Sequence, residues 1–184
     1  MLEQLESIHP LLPPIVGILV LLAGAIVVDL IAKRVLVSTV KTIAERSSSA
    51  WDDALVTHNV FGRLAQVVPA LIVFVGVPFV SGLSEGVVQL IRNVAMGYMV
   101  LMLTLALTAM LSAGNTIYSA SPAAKDRPLK GFVQVLQIVV WVFGGVMVIA
   151  AVLDRSPILL LSGFGAMTAI LFLVFKDTIL SLVA

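Results

Sequence analysis

Five long blocks of apolar residues, each almost free of charge, constrain this chain more than any other feature of its sequence. A helix needs about 20 apolar residues to cross a bilayer, and only 11% of the residues are charged, against about 25% in a soluble domain. We therefore predict an all-α integral membrane protein with five transmembrane helices. The blocks run approximately from Leu11 to Ile31, Leu64 to Val80, Val94 to Tyr118, Phe132 to Leu153 and Ile158 to Phe175.

Basic residues are distributed unevenly between the two ends of the predicted spans. Only Arg92 and Arg155 fall on one side of the membrane. Lys and Arg accumulate in cytoplasmic loops, so we predict an N-terminus outside and a C-terminus in the cytoplasm. The predicted cytoplasmic basic residues are Lys33, Arg34, Lys41, Arg46, Arg63, Lys125, Arg127, Lys130 and Lys176.

Polar residues around the first two spans predict how they are joined. The segment from Val35 to Arg46 keeps a helical spacing of apolar residues, so the first helix should continue into the cytoplasm. A turn at Ser47 to Ser49 should precede a new helix near Trp51. Asp29 lies one helical turn before Lys33, which predicts an ion pair within the helix.

The last apolar block differs from the others because its side-chain sizes are asymmetric around the helix. At about 100° per residue, Ser162, Ala166 and Ala169 form a flank of small residues. Bulky residues form a second flank, and a third stripe runs between the two flanks. The bulky flank contains Leu160, Phe164, Met167, Leu171 and Val174, and the intermediate stripe contains Leu161, Gly165, Thr168 and Phe172.

This asymmetry allows two interpretations. Small residues let membrane helices approach closely, so the small flank could pack against the bulky flank of an identical copy and close a ring. The intermediate stripe would then line the axis, where Leu161, Thr168 and Phe172 would form an apolar constriction. Alternatively, the block is a well-packed central helix of a monomeric bundle.

Lys176 and Asp177 mark the cytoplasmic end of the last span. The pair is typical of an anchor at the membrane interface. Asp177 could instead cap a new helix from Thr178, which would break the last helix there.

The segment from Ser162 to Ala184 (SGFGAMTAILFLVFKDTILSLVA) resembles the pore helix of the MscS-like superfamily of small-conductance mechanosensitive channels. The miniconductance (YbdG-like) branch is the most similar. Pro128 to Gly131 with Gln134 looks like the start of that branch's penultimate helix, and Trp51 to Asp53 is similar to an element between early helices.

The resemblance implies a homo-heptameric channel of the bacterial inner membrane that opens under membrane tension and releases ions and small solutes during hypo-osmotic stress. Its partners would be membrane lipids and permeant inorganic ions. Residues 1–157 would form a four-helix sensor region and 158–184 a truncated pore helix, because family members continue into a cytoplasmic domain that is absent from this sequence.

The resemblance also assigns roles within the last helix. The two constriction positions fall on Thr168 and Phe172, and Thr168 departs from the larger apolar residue often found there. The small packing positions fall near Gly165, Ala166 and Ala169. Lys176 and Asp177 would form the helix break and the cytoplasmic mouth.

Other functional classes find little support in the sequence. It lacks Cys, HExxH and a phosphate-binding glycine loop, and its two His residues are far apart, so we predict no enzyme, no cofactor and no metal site. Basic residues follow topology rather than a nucleic-acid-binding patch. A secondary transporter, despite the absence of an internal repeat, and a non-conducting membrane scaffold remain alternatives.

Overall fold

The computed structural model describes residues 12–46, 50–121, 124 and 129–183, and this part of the chain is helical without strands. We number its α-helices in chain order, and a short 3₁₀-helix, Val77–Phe79, follows the fourth. The α-helices are α1 (Leu12–Arg46), α2 (Ala50–Thr57), α3 (Val60–Ala65), α4 (Val67–Gly76), α5 (Glu85–Ser119), α6 (Lys130–Val152) and α7 (Pro157–Val183).

Five segments of the described chain are long and apolar enough to cross a membrane, which confirms the predicted number of spans and a multi-pass membrane protein. They are Pro13–Val35, Val60–Phe79, Glu85–Ser119, Lys130–Val152 and Pro157–Lys176. The prediction that the first helix continues to Arg46 is confirmed. The new helix begins at Ala50, beside Trp51 as predicted, whereas the turn at Ser47 to Ser49 lies outside the described residues.

The second span is interrupted, in contrast to the single block expected from its sequence. Helix α3 ends at Ala65 and α4 begins at Val67. Pro69 has no N–H to donate to the carbonyl of Ala65, so a continuous helix would lose a hydrogen bond at this point. The first two turns of the span remain a separate short helix, preceded by Asn59 in the left-handed conformation (φ 53°).

Small residues allow the closest approaches between helices. A Cβ built on Gly144 of α6 would lie 2.5 Å from the hydroxyl of Thr104 on α5, and one on Gly97 of α5 would lie 2.6 Å from a methyl of Val152 on α6. In lipid the hydrophobic effect does not drive helices together, so close packing of small residues takes its place. The buried core accordingly contains many alanines, among them Ala65, Ala95, Ala106, Ala109, Ala113 and Ala150.

The spans alternate in direction, so two turns meet at one end of the bundle. The turn at residues 80–84 joins the second span to α5, and the turn at residues 153–156 joins α6 to α7. The first turns of α5 lie beside the turn before α7, because Gln89 donates a hydrogen bond to Asp154 (3.2 Å). We call this end of the bundle the hairpin end.

Candidate functional site

Helix α7, which carries the predicted site, is the least packed of the spanning helices. Its contacts are mainly with α6, and none of the residues in its span is buried within the chain. Met167, Phe172 and Leu173 are 70%, 65% and 69% exposed, although they point in different directions around the helix. Beyond its first turns, from Ser162 to Lys176, the helix therefore presents all its faces to lipid or to another molecule. This argues against the interpretation of α7 as the central helix of a monomeric bundle.

The predicted site residues lie on one exposed helix, and the structure brings them against no other element. Leu161 is half-buried near the turn, whereas Gly165, Ala166, Thr168, Ala169 and Phe172 are exposed. A Cβ built on Gly165 would meet no atom within 4 Å. The assignment of these residues to a constriction or to helix packing therefore stays a prediction about contacts outside this chain.

Two hydroxyl groups in the spanning part of α7 are bonded within the helix. Ser162 donates to the carbonyl of Ile158, and Thr168 donates to the carbonyl of Phe164, each at 2.8 Å. A threonine bonded in this way has no free hydroxyl hydrogen and presents its methyl group beside it. Thr168 is thus less polar towards its surroundings than its residue type suggests.

The helix break expected at Lys176 and Asp177 is absent from this chain. Helix α7 continues through both residues to Val183, and Lys176 is exposed. No Gly or Pro occurs between Lys176 and Val183, so nothing local forces the backbone out of the helix. The side chain of Asp177 lies outside the described part.

The turn between α6 and α7 holds α7 beside α6. Asp154 adopts the left-handed conformation (φ 52°), and Arg155 N–H donates to the carbonyl of Ala150 (2.9 Å), five residues back, in the pattern that often ends a helix. The Ser156 carbonyl accepts from Leu159 N–H (3.1 Å), and Pro157 is the first residue of α7, where its missing N–H is tolerated. This turn makes α6 and α7 a tight hairpin.

A second polar feature, which the sequence analysis missed, runs along α5. Thr104, Thr108, Ser112 and Thr116 recur every four residues, and each donates to the carbonyl one turn earlier at 2.8–3.1 Å. We call these four residues the hydroxyl stripe. The four-residue spacing is the one feature of the sequence that could have identified this stripe, because it puts the four hydroxyls on one face of the helix.

Residues from three other parts of the chain bond to this side of α5. Gln137 of α6 donates to the hydroxyl of Ser112 (2.8 Å) and to the carbonyl of Thr108 (3.3 Å), so it joins the two helices by hydrogen bonds. His58, in the turn after α2, bonds to the hydroxyl of Thr116 (2.9 Å), and Arg63 of α3 donates to the nearby carbonyl of Leu105. The hydroxyl stripe thus bonds to α6 and to the turn after α2, and no bond from the described side chains of α7 reaches it.

Charged groups elsewhere are few. Asp29 and Lys33 form the predicted ion pair at 2.6 Å. Within the described ranges, no three His, Asp or Glu side chains gather closely enough to hold a metal ion. No protein-family model and no solved structure matches this chain.

Proposed function

We propose that this chain is the membrane portion of a tension-gated ion channel of the MscS-like superfamily, in which copies of α7 line the pore of a homo-heptamer. The single observation that carries the proposal is the isolation of α7. A spanning helix with no buried residue is available to contact other copies, and its small and bulky flanks suit head-to-tail packing.

The chemistry of the intermediate stripe supports a closed pore that excludes water. Phe172 offers an apolar ring, and Thr168 has its hydroxyl hydrogen bonded to its own helix. A narrow ring of such side chains would block ions by dewetting, without a charged gate. The other four spans would face the bilayer, and the predicted topology would place the C-terminal end of α7 in the cytoplasm of a bacterium.

Cysteine cross-linking tests the ring directly, because the chain contains no native Cys. Ala166 and Met167 are adjacent in height but lie on opposite flanks. We expect oxidation of the Ala166→Cys/Met167→Cys double variant in membranes to give a ladder of bands up to a heptamer. Each single variant is the matched control and should give little cross-linking, because the partner flank then carries no thiol. A ladder that stops at the dimer, or one equally strong in a single variant, would contradict head-to-tail packing.

Patch recording tests conduction. We expect discrete openings that rise with stepped suction when the gene's complete product is expressed in a bacterium lacking its other mechanosensitive channels. Phe172→Ser should hydrate the constriction and lower the opening tension, whereas Ile170→Ser, on the face away from the proposed axis, should change gating much less. Silence of a complete product shown to be in the membrane would favour the non-conducting scaffold, and substrate-dependent uptake would favour a transporter.

A further inference from the structure

Among the described residues, a cleft at the hairpin end is lined by both charged and apolar side chains. It has a volume of about 560 Å³ and lies between α4, α5, α6 and the turn before α7. Its rim is polar and its floor is apolar. The rim contains Gln89, Arg92, Asn93, Asp154, Arg155 and Ser156, and the floor contains Met96, Val100, Met147, Ala150 and Ala151.

Arg92 is incompletely satisfied in this cleft. Its guanidinium lies 4.5 Å from the centre of the Phe74 ring, a cation–π contact that uses the face of the group. Its Nε is buried and has no hydrogen-bond acceptor among the described residues. A buried N–H of a charged group without an acceptor costs free energy, so the described residues leave the positive charge of Arg92 incompletely compensated.

The charges of the cleft favour an anion. Arg92 and Arg155 are positive and Asp154 is negative, and no ion pair within 4 Å joins them in the described part of the chain. Asp154 instead accepts from Gln89. One phosphodiester would neutralise the remaining positive charge, and its oxygens suit the planar fork of an arginine.

The apolar floor continues along the membrane-spanning part of α5 and α6. Val100 and Met147 line both this cleft and a second cavity of about 400 Å³, which extends between the two helices to Leu107 and Val139. From Arg92 to Leu107 the rise along α5 is about 22 Å, which exceeds the roughly 15 Å of hydrocarbon in one leaflet. A polar rim above a long apolar groove has the shape of a phospholipid.

We propose that this cleft binds a membrane phospholipid, with its phosphate at Arg92 and one acyl chain in the groove between α5 and α6. The occupant is a lipid rather than a free anion because the apolar groove is continuous with the polar rim. The site is formed within one chain and does not depend on whether α7 lines a pore.

Native mass spectrometry of the purified full chain tests the site. Dioleoyl phosphatidylglycerol should bind to the wild type in a one-to-one complex, and Arg92→Gln should weaken this binding at least tenfold. Arg92→Lys keeps the charge but loses the planar guanidinium fork, so its lipid binding should be intermediate between those of the wild type and Arg92→Gln. Arg34→Gln is the matched control, because Arg34 is exposed and distant from the hairpin end, and its binding should be unchanged.

Two further measurements distinguish the source of the phosphate. Met147→Trp would fill the groove. It should weaken the binding of the phospholipid without changing the binding of inorganic phosphate. Dioleoylglycerol, which has the same chains but no phosphate, should bind weakly and equally to the wild type and Arg92→Gln. Displacement of the lipid by millimolar inorganic phosphate, or equal binding of dioleoylglycerol and phosphatidylglycerol, would overturn the proposal. Equal lipid binding by the wild type and Arg92→Gln would overturn it too.

Discussion

Two neighbouring glycines of α6, Gly144 and Gly145, provide a matched test of helix packing. A Cβ on Gly144 would lie 2.5 Å from Oγ1 of Thr104, whereas one on Gly145 would meet nothing within 4 Å. Both substitutions to Ala change the intrinsic helix propensity equally, by up to about 1 kcal/mol in favour of the helix. The difference in stability between the two variants therefore measures the steric contact alone.

The size of this difference follows from the geometry. An ordinary contact needs at least about 3.4 Å, so α5 and α6 would have to separate locally by about 1 Å. A gap of that size weakens neighbouring dispersion contacts, and overpacking of a tight interface costs about 1–3 kcal/mol. We expect Gly144→Ala to be about 1–3 kcal/mol less stable than Gly145→Ala. Thr104 cannot easily rotate away, because its hydroxyl is bonded to the carbonyl of Val100 (2.8 Å).

Reversible unfolding in mixed micelles, followed by far-ultraviolet circular dichroism, gives the required free energies. Thr104→Ala removes the two atoms nearest to the new Cβ and leaves only Thr104 Cβ at 3.0 Å, so the Gly144→Ala/Thr104→Ala double variant should regain about 1 kcal/mol or more relative to additivity. Equal stabilities of Gly144→Ala and Gly145→Ala would refute the close approach of α5 and α6 at this point. An additive double variant would show that the cost arises elsewhere.

Two polar contacts give further expectations. Gln137→Leu should destabilise the bundle by about 1 kcal/mol in the same unfolding assay, because it removes the hydrogen bond to Ser112. Interhelical hydrogen bonds in membranes average about 0.6 kcal/mol. Gln134→Leu, at an exposed position of α6, is the control and should change stability little. Arg63→Met should expose the second span to proteases or thiol-independent labelling near α3, because the bond to the Leu105 carbonyl holds that short helix to α5, and unchanged protection would contradict this role.

Much of the architecture was predictable because it depends on local or composition-level physics. The requirement for about 20 apolar residues identified five spans, and the i,i+4 spacing of Asp29 and Lys33 predicted their ion pair. The short connection between the last two apolar blocks, which ends at Pro157, is likewise a local signal for the hairpin between α6 and α7. Each of these features can be recognised from residues close together in sequence.

Other features depend on residues far apart in sequence and were not predictable in the same way. Arg63 and Leu105 meet because α3 packs on α5, and no local pattern pairs an arginine with a particular carbonyl. The left-handed Asp154 was equally hidden, because glycine usually occupies such a position. The prediction of a helix break at Lys176 and Asp177 was wrong for this chain. An aspartate can cap a new helix, but it does not end the preceding one unless packing bends the chain there.

The connection between the packed bundle and α7 limits how α7 could move. Helix α6 is joined to α5 by the close approach at Gly144 and by the bonds of Gln137, whereas α7 is joined to α6 mainly through the turn at residues 153–156. If α7 lines a pore, the turn must carry any tilt of α6 into the first residues of α7, and the exposed remainder must swing about that point. Motion at the constriction would then grow with distance from the turn, so Phe172, about 22 Å along the helix from Pro157, would move farther than Leu161.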